Sequence, residues 1–200
     1  NENHGIGYGN IQLTADRFGN ANSAYLFDGI DDYIQANNSP EISPTDSMSL
    51  SAWIKFAVGG NDYTHHRIIS KAIGSNGYTL KIEGTDSTRN VTVDLGANVT
   101  SGTIEANQWY FLVGTNDGNN IKLYINGNQV ETKSYSPSIV QNNSPLTIGR
   151  KASENDDFYK GVIDDVRIYN YAISNEKINS LYCETGWCEG CTDSNACNYN

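Results

Sequence analysis

Two short acidic segments carry the side chains with the most evident chemistry. The first contains Asp28, Asp31 and Asp32 beside a glycine, and the second contains Asp164 and Asp165. Calcium takes about six to eight oxygen ligands, typically carboxylates mixed with the backbone carbonyls that glycine-containing bends expose. The pattern predicts a structural calcium ion held chiefly by Asp28 and Asp164, if the fold brings both segments together. The alternative is that these aspartates cap turns by accepting hydrogen bonds from backbone N–H groups.

Carboxylate pairs could also act as acid and base in glycoside hydrolysis. Retaining glycosidases hold two carboxyl groups about 5 to 5.5 Å apart. The nearest approaches in this chain are residues 83–86 and 154–157, in stretches that we interpret as a strand end and a loop. Solvated surface is the better interpretation of both. The chain also has no Gly-x-Ser-x-Gly elbow and no phosphate-loop motif, which argues against nucleophilic hydrolysis and nucleotide chemistry.

The best candidates for ligand contacts are loop residues with aromatic rings or basic groups, in a chain where Lys and Arg are scarce. They are Tyr63, His65, His66 and Arg67 between two predicted strands, and Arg150, Lys151, Phe158 and Tyr159 between two others. Basic groups hold anionic sugars by charge-assisted, partly bidentate hydrogen bonds. The two loops can converge at one rim, so the cluster favours a uronate or sulfated polysaccharide as ligand. Ordinary solvated loops are the alternative.

Composition limits the kinds of partner. The chain has 200 residues, enough for one domain with a sizeable core, and a formal net charge of -10. This charge repels phosphate backbones and anionic membrane surfaces, so we expect neither nucleic acid nor membrane insertion. No apolar run approaches the roughly 20 residues of a membrane span, and no signal-peptide core stands at the start. We interpret the chain as a mature or excised part of a secreted or cell-surface protein.

The elements that must position these side chains are predicted to be β-strands. Apolar residues alternate with polar ones in short stretches separated by Gly, Asn, Asp and Ser, which is typical of antiparallel strands. The predicted strands lie within 24–36, 48–56, 67–71, 77–83, 90–95, 108–115, 121–125, 129–135, 146–149 and 161–171. One short helix is predicted at 174–182, with Ser174 as its N-cap. The fold class is therefore all-β, with one short C-terminal helix.

Five motifs in a fixed order carry a family resemblance. They are Phe-Asp-Gly at 27–29, Ser-Ala-Trp-Ile-Lys at 51–55, Gln-Trp-Tyr at 108–110, Leu-Tyr-Ile-Asn-Gly at 123–127 and Ile-Asp-Asp-Val-Arg-Ile-Tyr at 163–169. Over about residues 10–182 the chain resembles laminin-G-like, concanavalin A-like jelly-roll domains. The resemblance implies a sandwich of two antiparallel sheets whose chain ends meet, often with calcium near the paired terminal strands. It also implies that Trp53 and Trp109 pack in the core.

Members of this family commonly bind glycans or proteins, and some relatives are hydrolases or lyases. The related glucanases carry Glu-x-Asp-x-Glu on one strand, a segment that this sequence lacks. Lyases of this architecture combine His, Tyr and Arg with Gln or Asn to abstract a proton. Tyr63, His65, His66 and Arg67 supply the residue types, but they stand together in one loop rather than across a sheet. The resemblance therefore favours a domain without catalytic activity.

The four cysteines all lie near the end of the chain, at Cys183, Cys188, Cys191 and Cys197. In an acidic, Asn-rich chain such spacing favours small disulfide loops over zinc binding, and we expect Cys183 to pair with Cys188 and Cys191 with Cys197. Residues 190–200 are similar to a short motif repeated in large secreted proteins of marine Bacteroidetes. We therefore predict a domain at 1–182 and a separate cysteine-bearing linker, or the start of a repeat, at 183–200.

These observations predict a non-catalytic carbohydrate-binding module of a secreted polysaccharide-degrading protein, with neighbouring domains in a larger chain. The predicted ligand is a marine or algal polysaccharide. The alternative is an adhesion or protein-interaction domain of a large cell-surface protein, and a polysaccharide lyase or glycosidase is less favoured. The only predicted cofactor is structural Ca²⁺.

Overall fold

A computed structural model describes residues 4–59, 65–134, 138–140 and 142–184. It contains fourteen β-strands, one 3-10 turn at Pro40–Ile42 and one α-helix. The strands are β1 (Ile6–Tyr8), β2 (Gln12–Thr14), β3 (Ala24–Asp28), β4 (Tyr33–Ala36), β5 (Met48–Phe56), β6 (His65–Ile73), β7 (Asn76–Glu83), β8 (Thr88–Asp94), β9 (Asn98–Glu105), β10 (Tyr110–Asn116), β11 (Ile121–Ile125), β12 (Asn128–Lys133), β13 (Leu146–Ile148) and β14 (Lys160–Tyr169). The helix, α1, covers Asn175–Cys183.

The strands form two seven-stranded antiparallel sheets, which confirms the predicted jelly-roll sandwich with a short C-terminal helix. The first sheet has the order β1-β4-β13-β6-β7-β8-β9. The second has the order β12-β11-β10-β5-β14-β3-β2. Strand β14 pairs with β3, so the two ends of the domain do meet in one sheet, as the resemblance implied.

The core lies between the two sheets and follows from the alternation of side chains along each strand. In β5 the predicted apolar face, formed by Leu50, Ala52, Ile54 and Phe56, is completely buried. The facing residues of the first sheet belong to the same apolar cluster; they include Ile68, Ile69, Leu80, Ile82, Val91 and Val93. Fully burying a side chain of this size stabilises the fold by about 1.5–3 kcal/mol. Because the core occupies the inner face of each sheet, a ligand can contact the sheets only on their two outer faces.

Helix α1 covers part of the outer face of the second sheet. Trp53 of β5 stacks on Phe111 of β10 and on Tyr182 of the helix, with ring centroids 5.2 and 5.7 Å apart. Trp53 is 1% exposed, which confirms its predicted packing role, and Trp109 packs partly buried against the same cluster. Ser174 accepts a hydrogen bond from the Lys177 amide and so caps the helix, as predicted. In the described ranges no helix has the length and apolar character needed to span a membrane.

The last described residue is Glu184, so the remainder of the predicted cysteine-bearing segment lies outside the described residues. Cys188, Cys191 and Cys197 are among these, and the two expected disulfide pairs stay predictions.

Candidate functional site

The described residues of the two predicted ligand loops do come together, although those of the first belong to a strand. His65, His66 and Arg67 form the start of strand β6. The Arg67 Nε atom lies 2.8 Å from Asp157 Oδ2, and His66 Nδ1 lies 3.0 Å from the Phe158 carbonyl oxygen. Tyr63 lies outside the described residues.

Several of the predicted contact residues are too deeply buried to touch a ligand at the surface, and the prediction needs correction there. Tyr159 is 0% exposed, Phe158 5% and His66 2%. The Tyr159 ring packs edge-on against Phe27 of the core, with centroids 6.1 Å apart. Burial, together with the nearby charge of Arg89, lowers the pKa of His66. These aromatic and imidazole groups therefore stabilise the core rather than recognise a ligand.

Arg150 and Lys151, the other predicted basic contacts, already have partners. The Arg150 guanidinium lies 3.8 Å above the centre of the Tyr33 ring and donates to the side-chain oxygens of Gln35 and Asn155. Lys151 pairs with Glu154 at 3.1 Å. Arg150 thus links the 150–157 segment to β4 of the first sheet. Lys151 stabilises the segment internally.

Strand register places a set of polar side chains on the outer face of the first sheet, which we call the polar face. Since Leu80, Ile82, Val91 and Val93 point into the core, the residues between them point outward. Arg67, Lys81, Thr92 and Thr100 form one cross-strand row over β6 to β9. The polar face consists of Arg67, Thr79, Lys81, Glu83, Asn90, Thr92, Asp94 and Thr100.

The 150–157 segment bounds the polar face on the side of β13. The Ala152 amide donates to Ser70 Oγ at 3.2 Å, and Thr147 Oγ1 donates to the Arg150 carbonyl at 2.8 Å. Ser70 and Thr147 are outward-facing residues of β6 and β13, yet both are 0% exposed. The segment therefore covers the middle of the first sheet. Thr79, Lys81 and Thr92 of the polar face are buried. Asn90 and Thr100 are exposed, and Glu83 and Asp94 are half-buried.

Cations and carboxylates on the polar face are arranged in pairs. Lys81 Nζ lies 2.5 Å from Glu83 Oε1, and Arg67 reaches both Asp157 and the Thr79 hydroxyl. Burial alone would raise the pKa of Glu83, but the hydrogen bond and charge of Lys81 hold it below its usual value. Burial raises the pKa of Asp94, and the charges of Lys81 and Arg67 oppose that shift only in part. The result is a surface of fixed donors and acceptors.

A pair of tyrosines lies on the same outer face, beyond the 150–157 segment. Tyr8 of β1 and Tyr33 of β4 are cross-strand partners whose rings stack at 4.6 Å with an interplanar angle of 5°. Tyr8 is 38% exposed, and the other side of the Tyr33 ring faces Arg150. The ring of Tyr8 is therefore an accessible aromatic surface of the kind on which a sugar ring stacks.

Sequence reasoning missed both the polar face and the tyrosine pair. The signal for the polar face was present as alternation, Thr79, Lys81 and Glu83 in β7 and Asn90, Thr92 and Asp94 in β8. Alternation of this kind is equally typical of any solvent-facing sheet surface and does not by itself indicate a ligand site. The tyrosine pair gave no comparable signal, because β1 is three residues long and its pairing with β4 is a long-range contact.

The structure does not bring together Asp28 and Asp164, the predicted calcium ligands. Asp28 is opposite Lys160 in the register, so Asp164 lies four residues, or roughly 13 Å, farther along β14. Asp164 instead forms an ion pair with Arg17, at 2.6 Å. One ion cannot be held chiefly by these two carboxylates, and the predicted arrangement does not fit.

In the first acidic segment the aspartates accept hydrogen bonds from backbone amides, as the turn-capping alternative predicted. Asp28 Oδ1 accepts hydrogen bonds from the amides of Ile30 and Asp31, at 2.7 and 3.3 Å. Both carboxylate oxygens of Asp32 accept from backbone amides, those of Asn10 and Asp28. Gly29 adopts a positive φ of 79° in this turn, which suits glycine. Oxygen atoms of Asp28, Asp31 and Asp32 also lie within 4.8 Å of one another, and such groups are common without a metal.

The fold and this arrangement of faces define a lectin-like β-sandwich. A model of the concanavalin A-like lectin/glucanases superfamily matches residues 28–179, and the chain belongs to this superfamily. The resemblance given by the five sequence motifs is thereby confirmed. A search of curated proteins found no match.

Solved structures with the same fold include several binding domains. Domain 4 of AbnA, a GH43 extracellular arabinanase from Geobacillus stearothermophilus solved with arabinotriose, has a TM-score of 0.64 and 20% identity, over 88% of this chain and 82% of that domain. The binding domain of Paraclostridial Mosquitocidal Protein 1 has a TM-score of 0.70 and 18% identity, over 91% of this chain and 47% of that one. The botulinum neurotoxin serotype D binding domain has a TM-score of 0.65 and 22% identity, over 90% of this chain and 46% of that one. The chain thus spans about half the length of these toxin domains, and such identities show the fold alone.

Proposed function

We propose that this chain is a non-catalytic carbohydrate-binding module that holds its ligand on the polar face of the first sheet. The observation that carries the proposal is a set of accessible polar groups on three adjacent strands: Glu83 on β7, Asn90 and Asp94 on β8, and Thr100 on β9. The outer face of the second sheet is partly covered by α1 and is built for packing. A structure of the same fold was solved with arabinotriose, which supports a saccharide as the ligand class.

The spacing of carboxylates on the polar face supports binding rather than hydrolysis. Glu83 is opposite Asn90 in the register, and Asp94 lies four residues, or roughly 13 Å, farther along β8. Glycosidases need their two carboxyl groups about 5 to 9.5 Å apart, depending on the stereochemical outcome. Glu83 is moreover committed to Lys81 by a short ion pair. These two residues are therefore better suited to accept hydrogen bonds from sugar hydroxyls than to act as acid and nucleophile.

Binding would combine two features of the outer face. The polar face supplies hydrogen-bonding groups that are fixed by their own ion pairs, so little side-chain entropy is lost when a ligand binds. The exposed ring of Tyr8 supplies a stacking surface on the other side of the 150–157 segment. Several weak subsites on one polymer add up through avidity. We propose that the module tethers a secreted polysaccharide-degrading protein to a marine or algal polysaccharide, and so raises the local substrate concentration.

An adhesion role is the second candidate, and the shared fold with toxin binding domains is the observation that favours it. Those domains are about twice as long as this chain, so their binding sites are not carried over. Retention of the chain on whole cells but on no soluble polysaccharide would favour adhesion.

The test is affinity electrophoresis and calorimetry of the chain against arabinan, laminarin, agar, alginate and carrageenan. Two variants probe the polar face: Asn90→Ala removes an exposed amide, and Asp94→Asn removes a carboxylate. Each should weaken binding by up to about tenfold, the worth of one hydrogen bond. Lys177→Ala on α1 is the matched control and should bind as the wild type does. If no polymer is retained, or if both face variants bind normally, the proposal is wrong.

A further inference from the structure

The polar face has no excess of cationic groups among the described residues. Arg67 and Lys81 are its two cations, against the carboxylates of Glu83, Asp94 and the adjoining Asp157. The chain as a whole carries a net charge of -10. An anionic ligand placed here would find no local surplus of positive charge, even with Lys133, whose charge also acts on Asp94, and it would meet a net negative charge over the whole chain.

The two cations are also paired and largely buried, so few of their N–H groups can reach a ligand. The side chains of Arg67 and Asp157 are only 15% and 9% exposed, and their atoms lie 2.8 Å apart. The side chain of Lys81 is 11% exposed and lies 2.5 Å from Glu83. Removing one partner of a largely buried pair leaves the other charge unpaired, which is strongly unfavourable. A carboxylate or sulfate on a ligand therefore cannot replace Asp157 or Glu83 without a large penalty.

The remaining groups of the polar face suit hydroxyls. Asn90 and Thr100 are exposed and offer an amide and a hydroxyl, and Thr92 and Thr100 are joined by a hydrogen bond of 2.7 Å. Asp94 is partly exposed, and its oxygens can accept hydrogen bonds from paired hydroxyls of a sugar ring. Neutral polyols need both donors and acceptors, whereas an anionic sugar needs a surplus of donors.

We propose that the polar face selects an uncharged saccharide and rejects uronates and sulfated sugars. This inference rests on the proposed function and identifies the ligand class of the same site. It departs from the anionic ligand that the basic residues of the sequence favoured, because the structure shows those residues in ion pairs, in cation–π contact or buried. The paired charges serve to hold donors and acceptors in place, and their fields largely cancel.

The experiment compares neutral probes, arabinotriose and laminarin, with anionic probes, alginate and carrageenan, by calorimetry and affinity electrophoresis at low and high salt. The neutral probes should bind, with affinities that change by less than about twofold with salt, since screening acts on charged partners. The anionic probes should bind at least roughly tenfold more weakly. Tighter binding of the anionic probes, falling steeply with salt, would overturn this inference and leave the proposed function standing. Failure of every probe to bind would count against the function itself.

A charge-matched pair of variants tests whether the local pairing, rather than net charge, sets this selectivity. Glu83→Gln leaves Lys81 without its carboxylate and should raise the ratio of anionic to neutral binding severalfold. Glu176→Gln removes the same charge from the exposed first turn of α1 and should leave the ratio unchanged. An equal effect of both variants would show that net charge decides, and the inference would be wrong.

Discussion

The two outer faces of the sandwich use aromatic and charged residues in opposite ways. On the second sheet, Trp53, Phe111 and Tyr182 form a stack beneath helix α1, and all three rings contribute to stability. On the first sheet, the charged and hydroxyl groups of the polar face form a surface, with the exposed Tyr8 ring at its margin. The difference teaches that residue type alone does not identify a ligand site. What covers the face decides whether an aromatic residue packs or binds.

The largest expected effect concerns the packed face. Trp53→Ala should lower the free energy of unfolding by about 3–5 kcal/mol, because it empties a site that is 1% exposed between two stacked rings. Urea unfolding followed by circular dichroism measures this change. Trp109→Ala, at a partly exposed position packed against the same cluster, is the control and should cost much less. Equal losses would show that α1 does not seal this face.

A smaller loss is expected from the polar face, and here stability and binding should change together. Arg67→Met leaves Asp157 without its partner and should cost about 1.5–3 kcal/mol, the range for a hydrogen bond to a charged group. Unfolding and calorimetry on the same sample would record both effects. The double variant Arg67→Met with Asp157→Asn should recover part of the stability, because no unpaired charge remains. Absence of recovery would mean that the pair does not anchor the 150–157 segment.

The buried side of strand β6 predicts a pH dependence of stability through His66. Burial lowers the pKa of His66 in the folded chain below its unfolded value of about 6.5, so the unfolded chain takes up the proton first. Stability should be full above about pH 6.5 and should fall as pH drops from there through the folded pKa. Thermal unfolding between neutral and mildly acidic pH measures the slope. His66→Gln should flatten it.

The alternation of apolar residues was enough to predict antiparallel strands such as β5, β7 and β8, which place an apolar side chain at every second position toward the core, while the family resemblance implied the sandwich. The alternation missed β9, where only Val99 and Ile104 are buried apolar residues and a register shift between Asn90 and Val91 interrupts the pairing. The site was harder to predict, because Tyr159 and His66 have residue types that bind ligands as readily as they pack. Only the tertiary contacts show that their side chains are buried and that Arg67 is paired with Asp157.

The smallest expected effect concerns the acidic turn between β3 and β4. Two amides bind Asp28 and two bind Asp32, so backbone hydrogen bonds already account for much of the capacity of these carboxylates. Asp164, the other predicted calcium ligand, is paired with Arg17.

Because these carboxylates already have partners, we expect thermal unfolding to show the same midpoint with EDTA as with added calcium. Asp28→Ala should cost only about 0.5–2 kcal/mol, as for a lost cap. A bound ion stabilises the native state by mass action, so a midpoint that rises with calcium concentration would restore the metal site. In that case Asp31→Asn, which removes an exposed carboxylate of the same turn, should abolish the rise.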